Sequence, residues 1–112
     1  MLVEILERVL RTVKQGWCQR AWAKDCVGET VKFNSMDACK WCLDGAILLE
    51  TARDGNVSRK VSQFVQETLE SLGYTEGYVT YNDEIGRTQQ DIVNLLERAI
   101  ASARAAELKG QS

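Results

Sequence analysis

The chain has 112 residues, 45% of them hydrophobic and 27% charged, with a net charge of −2, no histidine and no proline. That length supports one hydrophobic core and predicts a single domain over 1–112, stable without a metal or a disulfide, while the apolar content excludes an intrinsically disordered chain. The acidic balance, with a pI of about 5.2, argues against nucleic acid as a partner, and the missing histidine removes triads, zincins and imidazole general bases from a single subunit.

In the first segment, Leu2, Ile5, Leu6, Val9, Leu10 and Val13 recur at helical steps, and Glu4–Arg8 and Glu7–Arg11 pair on the solvent side. The periodicity predicts a helix ended by Gly16. Its charges interrupt any apolar run of signal-peptide or membrane-spanning length, so the reading is a cytoplasmic protein with no membrane partner. The four cysteines, Cys18, Cys26, Cys39 and Cys42, are then expected to be thiols in a reducing compartment.

Residues 17–23 fit two turns of a short helix, followed by a turn over 24–29. Asn34 and Ser35 look like caps for a helix over 36–52, in which Ala38, Cys39, Trp41, Cys42, Gly45, Ala46, Leu48 and Leu49 cover more than one stripe and Gly45 and Ala46 admit a close neighbour. Asn56 and Ser58 can cap the next helix, whose Val61, Phe64, Val65, Thr68, Leu69 and Leu72 form one stripe before Gly73. The connector 74–86 carries three tyrosines, and Tyr78–Tyr81 is strand-like enough to leave room for a minor β-hairpin. Thr88 and Asp91 then form a capping box that opens a last helix with Ile92, Leu95, Leu96, Ala99, Ile100 and Ala103 inward, fraying over 110–112. The prediction is a mainly α fold: a compact bundle of four long helices plus one short helix.

Cys39-Lys40-Trp41-Cys42 is a CxxC, but seven residues separate Cys18 from Cys26, so a second close pair for zinc is missing. A redox couple needs a strand before the motif and a helix N-terminus at it, and the predicted mid-helix position supplies neither. Core packing is the favoured reading, with a Cys18–Cys42 bridge as a lesser option; no metal and no cofactor is assigned. Trp17-Cys18 and Trp41-Cys42 echo one another, which chance or shared packing demand explains. No phosphate-cradling glycine motif occurs.

Carboxylates, an amide and a guanidinium converge only around Asn82, Asp83, Glu84, Arg87, Thr88 and Asp91. The bland reading assigns them to a turn, an ion pair and a cap. The functional reading adds Asp25 and the walls Trp17 and Trp41, giving a ligand patch of Trp17, Asp25, Trp41, Asn82, Asp83, Arg87 and Thr88. Trp22, flanked by Arg20 and Lys24, is the tryptophan expected to reach the surface, and Arg20 with Trp22 is the expected partner surface.

The segments Gly16-Trp17-Cys18-Gln19, Ala23-Lys24-Asp25, Trp41-Cys42-Leu43-Asp44-Gly45-Ala46 and Asn82-Asp83-Glu84-Ile85-Gly86-Arg87-Thr88 together resemble an uncharacterised bacterial and phage family. That family consists of small helical proteins with WCQGA-like, ARDxxG-like, WCxxGA and NDxxGRTxxEV segments, and the resemblance covers most of the chain. Arg20 stands where the pattern has a small residue, Gln89 where it often has histidine, and Asp91-Ile92 where it has an acid and valine. The resemblance implies a fold and no activity. The leading expectation for function is a non-enzymatic binding or interaction protein, phage- or prophage-borne, acting on a host protein or on a second copy of itself as a homodimer. The rival is a domain binding an anionic or nucleoside-like small molecule through the ligand patch.

Overall fold

The computed structural model describes residues 1–52 and 54–111. Five helices, α1 (Leu2–Gln15), α2 (Leu43–Thr51), α3 (Gly55–Ser71), α4 (Tyr78–Asp83) and α5 (Gln89–Gln111), surround one core, and a three-stranded antiparallel sheet of β1 (Ala23–Lys24), β2 (Thr30–Val31) and β3 (Lys40–Trp41) lies between α1 and α2 in the chain, in the order β2-β1-β3. Among the described residues no helix is long and apolar enough to cross a membrane.

The helical periodicities are borne out. On α1, Ile5, Leu6, Val9 and Val13 are buried, with Leu2 and Leu10 half-buried against the same core. On α5, all six residues expected inward are buried, and Val93 joins them. The Thr88–Asp91 box forms in both directions: Thr88 N donates to the Asp91 carboxylate at 2.9 Å, and Asp91 N donates to Thr88 Oγ1 at 3.2 Å. Gln89 adds a tie that no local rule announces, its Nε2 donating to Val13 O at 2.8 Å and so fastening the start of α5 to the end of α1. On α3, Val61, Val65, Thr68 and Leu69 are buried, but Leu72 lies beyond the last turn and is exposed.

The middle of the chain differs from the expectation. Residues 17–23 form no helix; the short helix is α4, in the connector where a hairpin had room, and the strands lie within 23–41. The helix expected over 36–52 begins only at Leu43, because β3 pairs with β1 in the register Ala23↔Trp41 and Lys24↔Lys40, and a chain committed to a ladder cannot also make helical i→i−4 bonds. Cys42, not Asn34 or Ser35, is the N-cap of α2, its Sγ accepting from Gly45 N at 3.2 Å. Asp54, not Asn56 or Ser58, caps α3 through bonds from Asn56 N and Val57 N. The tail expected to fray over 110–112 continues α5 through Gln111, and Ser112 lies outside the described residues.

The cysteines also separate. The β1–β3 pairing brings Cys26 and Cys39 to a Cα separation of 5.4 Å, and they form a disulfide, so these two are not the thiols expected; Cys18 and Cys42 are free and buried. The echo between the two Trp-Cys pairs is a physical pairing. Trp17 and Trp41 form a parallel bridge in which Cys18 N donates to Trp41 O at 3.3 Å and Trp41 N to Gly16 O at 3.0 Å.

Candidate functional site

The residues singled out from the sequence meet where the 17–22 loop, the start of α2 and α4 come together. Asn82 is their hub. It is 1% exposed, and a buried amide that lacked partners would cost several kcal/mol. Its Oδ1 accepts from Trp17 Nε1 at 2.7 Å and from Leu43 N at 3.0 Å, while its Nδ2 donates to Cys18 O at 3.2 Å and to the Asp83 carboxylate at 2.9 Å. One side chain thus ties the loop, the first turn of α2 and the last turn of α4.

Gln19 and Asp83 complete this clasp. Gln19 Nε2 donates to the carbonyls of Asn82 and Glu84, and Asp83 Oδ1 accepts from Arg20 N at 2.9 Å. Arg20 sits at φ 66, in the left-handed region that a Cβ disfavours. Arg20→Gly keeps the N–H that Asp83 binds and removes that strain, so it is expected to raise stability by about 1 kcal/mol, read as a higher urea midpoint at unchanged m-value.

A second set of bonds fixes the surface beside the clasp. Trp22 is 54% exposed, yet its Nε1 donates to Asp44 Oδ2 at 3.0 Å and its ring meets Phe33 edge-on at 6.3 Å. The other oxygen of Asp44 accepts from the Tyr78 hydroxyl at 2.7 Å, and burial followed by this hydrogen bond pushes the Tyr78 phenol up to about 12. Tyr78 is itself placed by Gln66, whose Oε1 accepts from Tyr78 N at 2.7 Å. Arg20, Ala21, Trp22, Cys42, Val79 and Asp83 line an open cleft of about 470 Å³ at this point. Cys42, which lines it, and Cys18 are both buried free thiols. Burial raises both, Cys42 to about 12, and Cys18 Sγ donates to Ala21 O.

Three residues of the sequence patch stand apart from this junction in their contacts. Asp25 Oδ1 accepts from Val27 N and Glu29 N and so builds the β1–β2 turn. Arg87 donates from Nε to Tyr81 O, stacks over the Tyr81 ring at 3.6 Å and reaches Glu84 at 3.7 Å. Thr88 caps α5. Trp41 adjoins the junction through its backbone, which pairs with Gly16 and Cys18, while its Nε1 donates to Phe33 O at 2.9 Å. Gln19, Asp44 and Tyr78 were not anticipated: their roles come from partners more than twenty positions away in the chain. Among the described residues no group of three or more carboxylates and cysteines is arranged to hold a metal ion.

Residues 2–102 match the model of a family described as a family of unknown function, DUF6197. No curated protein and no solved structure matches the chain.

Proposed function

The chain belongs to DUF6197, a family of unknown function, and we propose that this member is a small non-enzymatic binding protein that docks on another protein through the surface around Arg20 and Trp22. The observation that carries this reading is the state of Trp22: a large aromatic side chain, more than half exposed, held rigid by Asp44 and Phe33. An exposed indole left free to rotate would lose rotamer entropy on binding, and one already fixed does not, which is how aromatic anchors at interfaces reach high contributions per residue.

Two further features support it. Arg20 retains a strained backbone conformation that glycine would relieve, and such strain tends to accompany a side chain in use. Val79, 44% exposed, also lines the cleft and extends the apolar contact. The polar groups that a small-molecule reading would draw on are engaged within the fold instead: Asn82 and Asp83 hold the clasp, Asp25 holds a turn and Arg87 packs on Tyr81. A host protein is the partner we favour, and a phage- or prophage-borne origin is part of the same proposal.

The test compares proteins captured from the producing cells by the full chain and by its Trp22→Ala variant, with circular dichroism to show that both are folded. A protein retained by the parent and weakened roughly 30-fold by truncation of an interface anchor is the expected result. If both chains retain the same proteins equally, Trp22 is not the contact; if the parent is a dimer that Trp22→Ala dissociates, the partner is a second copy.

A further inference from the structure

We propose that the Cys26–Cys39 disulfide is a thiol–disulfide exchange site, and that its state decides whether the segment from Lys24 to Lys40 stays folded against Trp22. The consequence for binding rests on the reading of Trp22 as the contact; the exchange site itself does not.

The first support is how little else holds the segment. From Lys24 to Lys40 no residue is buried, and the hydrophobic side chains that pack on the core, Val31, Phe33 and Ala38, are only half-buried. The strands it contributes are two residues long. Its remaining ties to the body of the protein are few: the Ala23↔Val31 pairing of β1 with β2, Trp41 Nε1 to Phe33 O, and the Phe33 ring against Trp22. Segments with few buried contacts open at low free-energy cost, so a covalent closure contributes most of their order.

The second support is access. Cys26 is exposed and Cys39 half-buried, whereas the two free thiols are buried and held largely protonated. A thiol must ionise to attack a disulfide, so Cys18 and Cys42 do not shuffle the bridge from within, and the reductant comes from solvent. A small dithiol suffices. One of its thiolates attacks Cys26 Sγ, the S–S bond breaks, and the electron pair leaves on Cys39 Sγ, which takes a proton from water. The second thiol of the reductant then attacks the mixed disulfide and releases Cys26 as a thiolate that is protonated in turn. The protein gains two electrons and two protons, and the dithiol leaves as a cyclic disulfide.

Because no fully buried side chain belongs to the segment, reduction leaves the helical core standing while Phe33 is freed from Trp22. The surface then loses one of the two contacts that fix its aromatic anchor, the Asp44 hydrogen bond alone remaining.

The test is amide hydrogen exchange on the full chain before and after dithiothreitol, with native thiols counted by a chromogenic disulfide reagent. Reduction is expected to expose two reactive thiols and to speed exchange over 24–40 by at least about tenfold, with α1, α3 and α5 unchanged, and Cys26→Ser/Cys39→Ser is expected to match the reduced protein. A bridge that resists dithiothreitol in the native state, unchanged exchange once two thiols are counted, or loss of protection throughout the helices would each overturn the proposal. Since these readouts involve no partner, they are independent of the Trp22→Ala capture that tests the binding surface.

Discussion

Replacing Asn82 by alanine is expected to destabilise the protein by about 4 kcal/mol, because a buried amide that serves four partners disappears, leaving two of them buried and a third half-buried. Trp17 Nε1 and Leu43 N lose their acceptor and Cys18 O loses its donor, each worth roughly 1–3 kcal/mol when left unpaired. The contributions are coupled through one loop, so their sum is an upper bound. Urea unfolding followed by circular dichroism measures the loss directly, and a change below about 1 kcal/mol would mean that water enters and takes over the role of the amide.

Asn82→Asp separates the hydrogen bonds from the volume. The introduced carboxylate can still accept from Trp17 Nε1 and Leu43 N, but its second oxygen faces two acceptors, Cys18 O and the Asp83 carboxylate, where the amide donated. The ionised form is therefore disfavoured in the folded state, and the folded pKa of the introduced group lies above its unfolded value. A group with a raised folded pKa contributes its stability below the unfolded pKa and loses it as pH rises through the folded one. The deficit of this variant relative to the parent should therefore be fully developed at neutral pH and narrow on acidification, whereas the alanine deficit stays flat. A deficit independent of pH would show that the clasp does not discriminate a donor from an acceptor at that oxygen.

These bonds also explain what could be read in the chain beforehand and what could not. The stripes of α1, α3 and α5 and the Thr88–Asp91 box are local signals: the partners sit three or four positions apart, and burial follows from helical periodicity alone. The stretch from Trp17 to Cys42 has no such period. Its strands are too short to alternate, and Ala38, Cys39, Trp41 and Cys42 happen to fall at helical spacing, which extended the expected helix backward over β3. What decides the conformation there is long-range: the bridge between Cys26 and Cys39, and the amide of Asn82, which is 65 positions from Trp17. The Trp-Cys echo was the one local trace of this arrangement, since the two dipeptides lie side by side. The convergence of Asn82 and Asp83 on Trp17 was legible as composition, a polar cluster beside tryptophans, but its inward direction was not, because hydrogen-bond direction depends on backbone groups that composition does not place.

Gly45→Ala is the second large effect, and here the sign decides between two principles. In the first turn of a helix, alanine in place of glycine gains about 1 kcal/mol of helix propensity. Against this, a Cβ on Gly45 would overlap the carbonyl carbon and oxygen of Trp22, backbone atoms with no rotamer to escape into. That same carbonyl accepts from Cys42 N at 3.1 Å, so the loop cannot retreat without breaking the bond that seats it on α2. Overpacking against immobile neighbours typically costs 1–3 kcal/mol and more where the backbone must shift, so the expected outcome is a net loss of about 3 kcal/mol. Gly28→Ala is the matched comparison, a glycine at φ 92 with nothing within 4 Å of the added carbon, which should cost only the backbone strain of about 1 kcal/mol. A Gly45→Ala variant as stable as the parent would show that the loop yields freely to α2. The displacement also bears on function. Trp22 is carried by the strand of backbone that Gly45 admits, and its indole is fastened to Asp44, the residue before Gly45. Any shift that makes room for a methyl group moves the carbonyl and the anchor of that tryptophan in opposite directions, so a partner that reads Trp22 should lose affinity for Gly45→Ala even at temperatures where the variant remains fully folded.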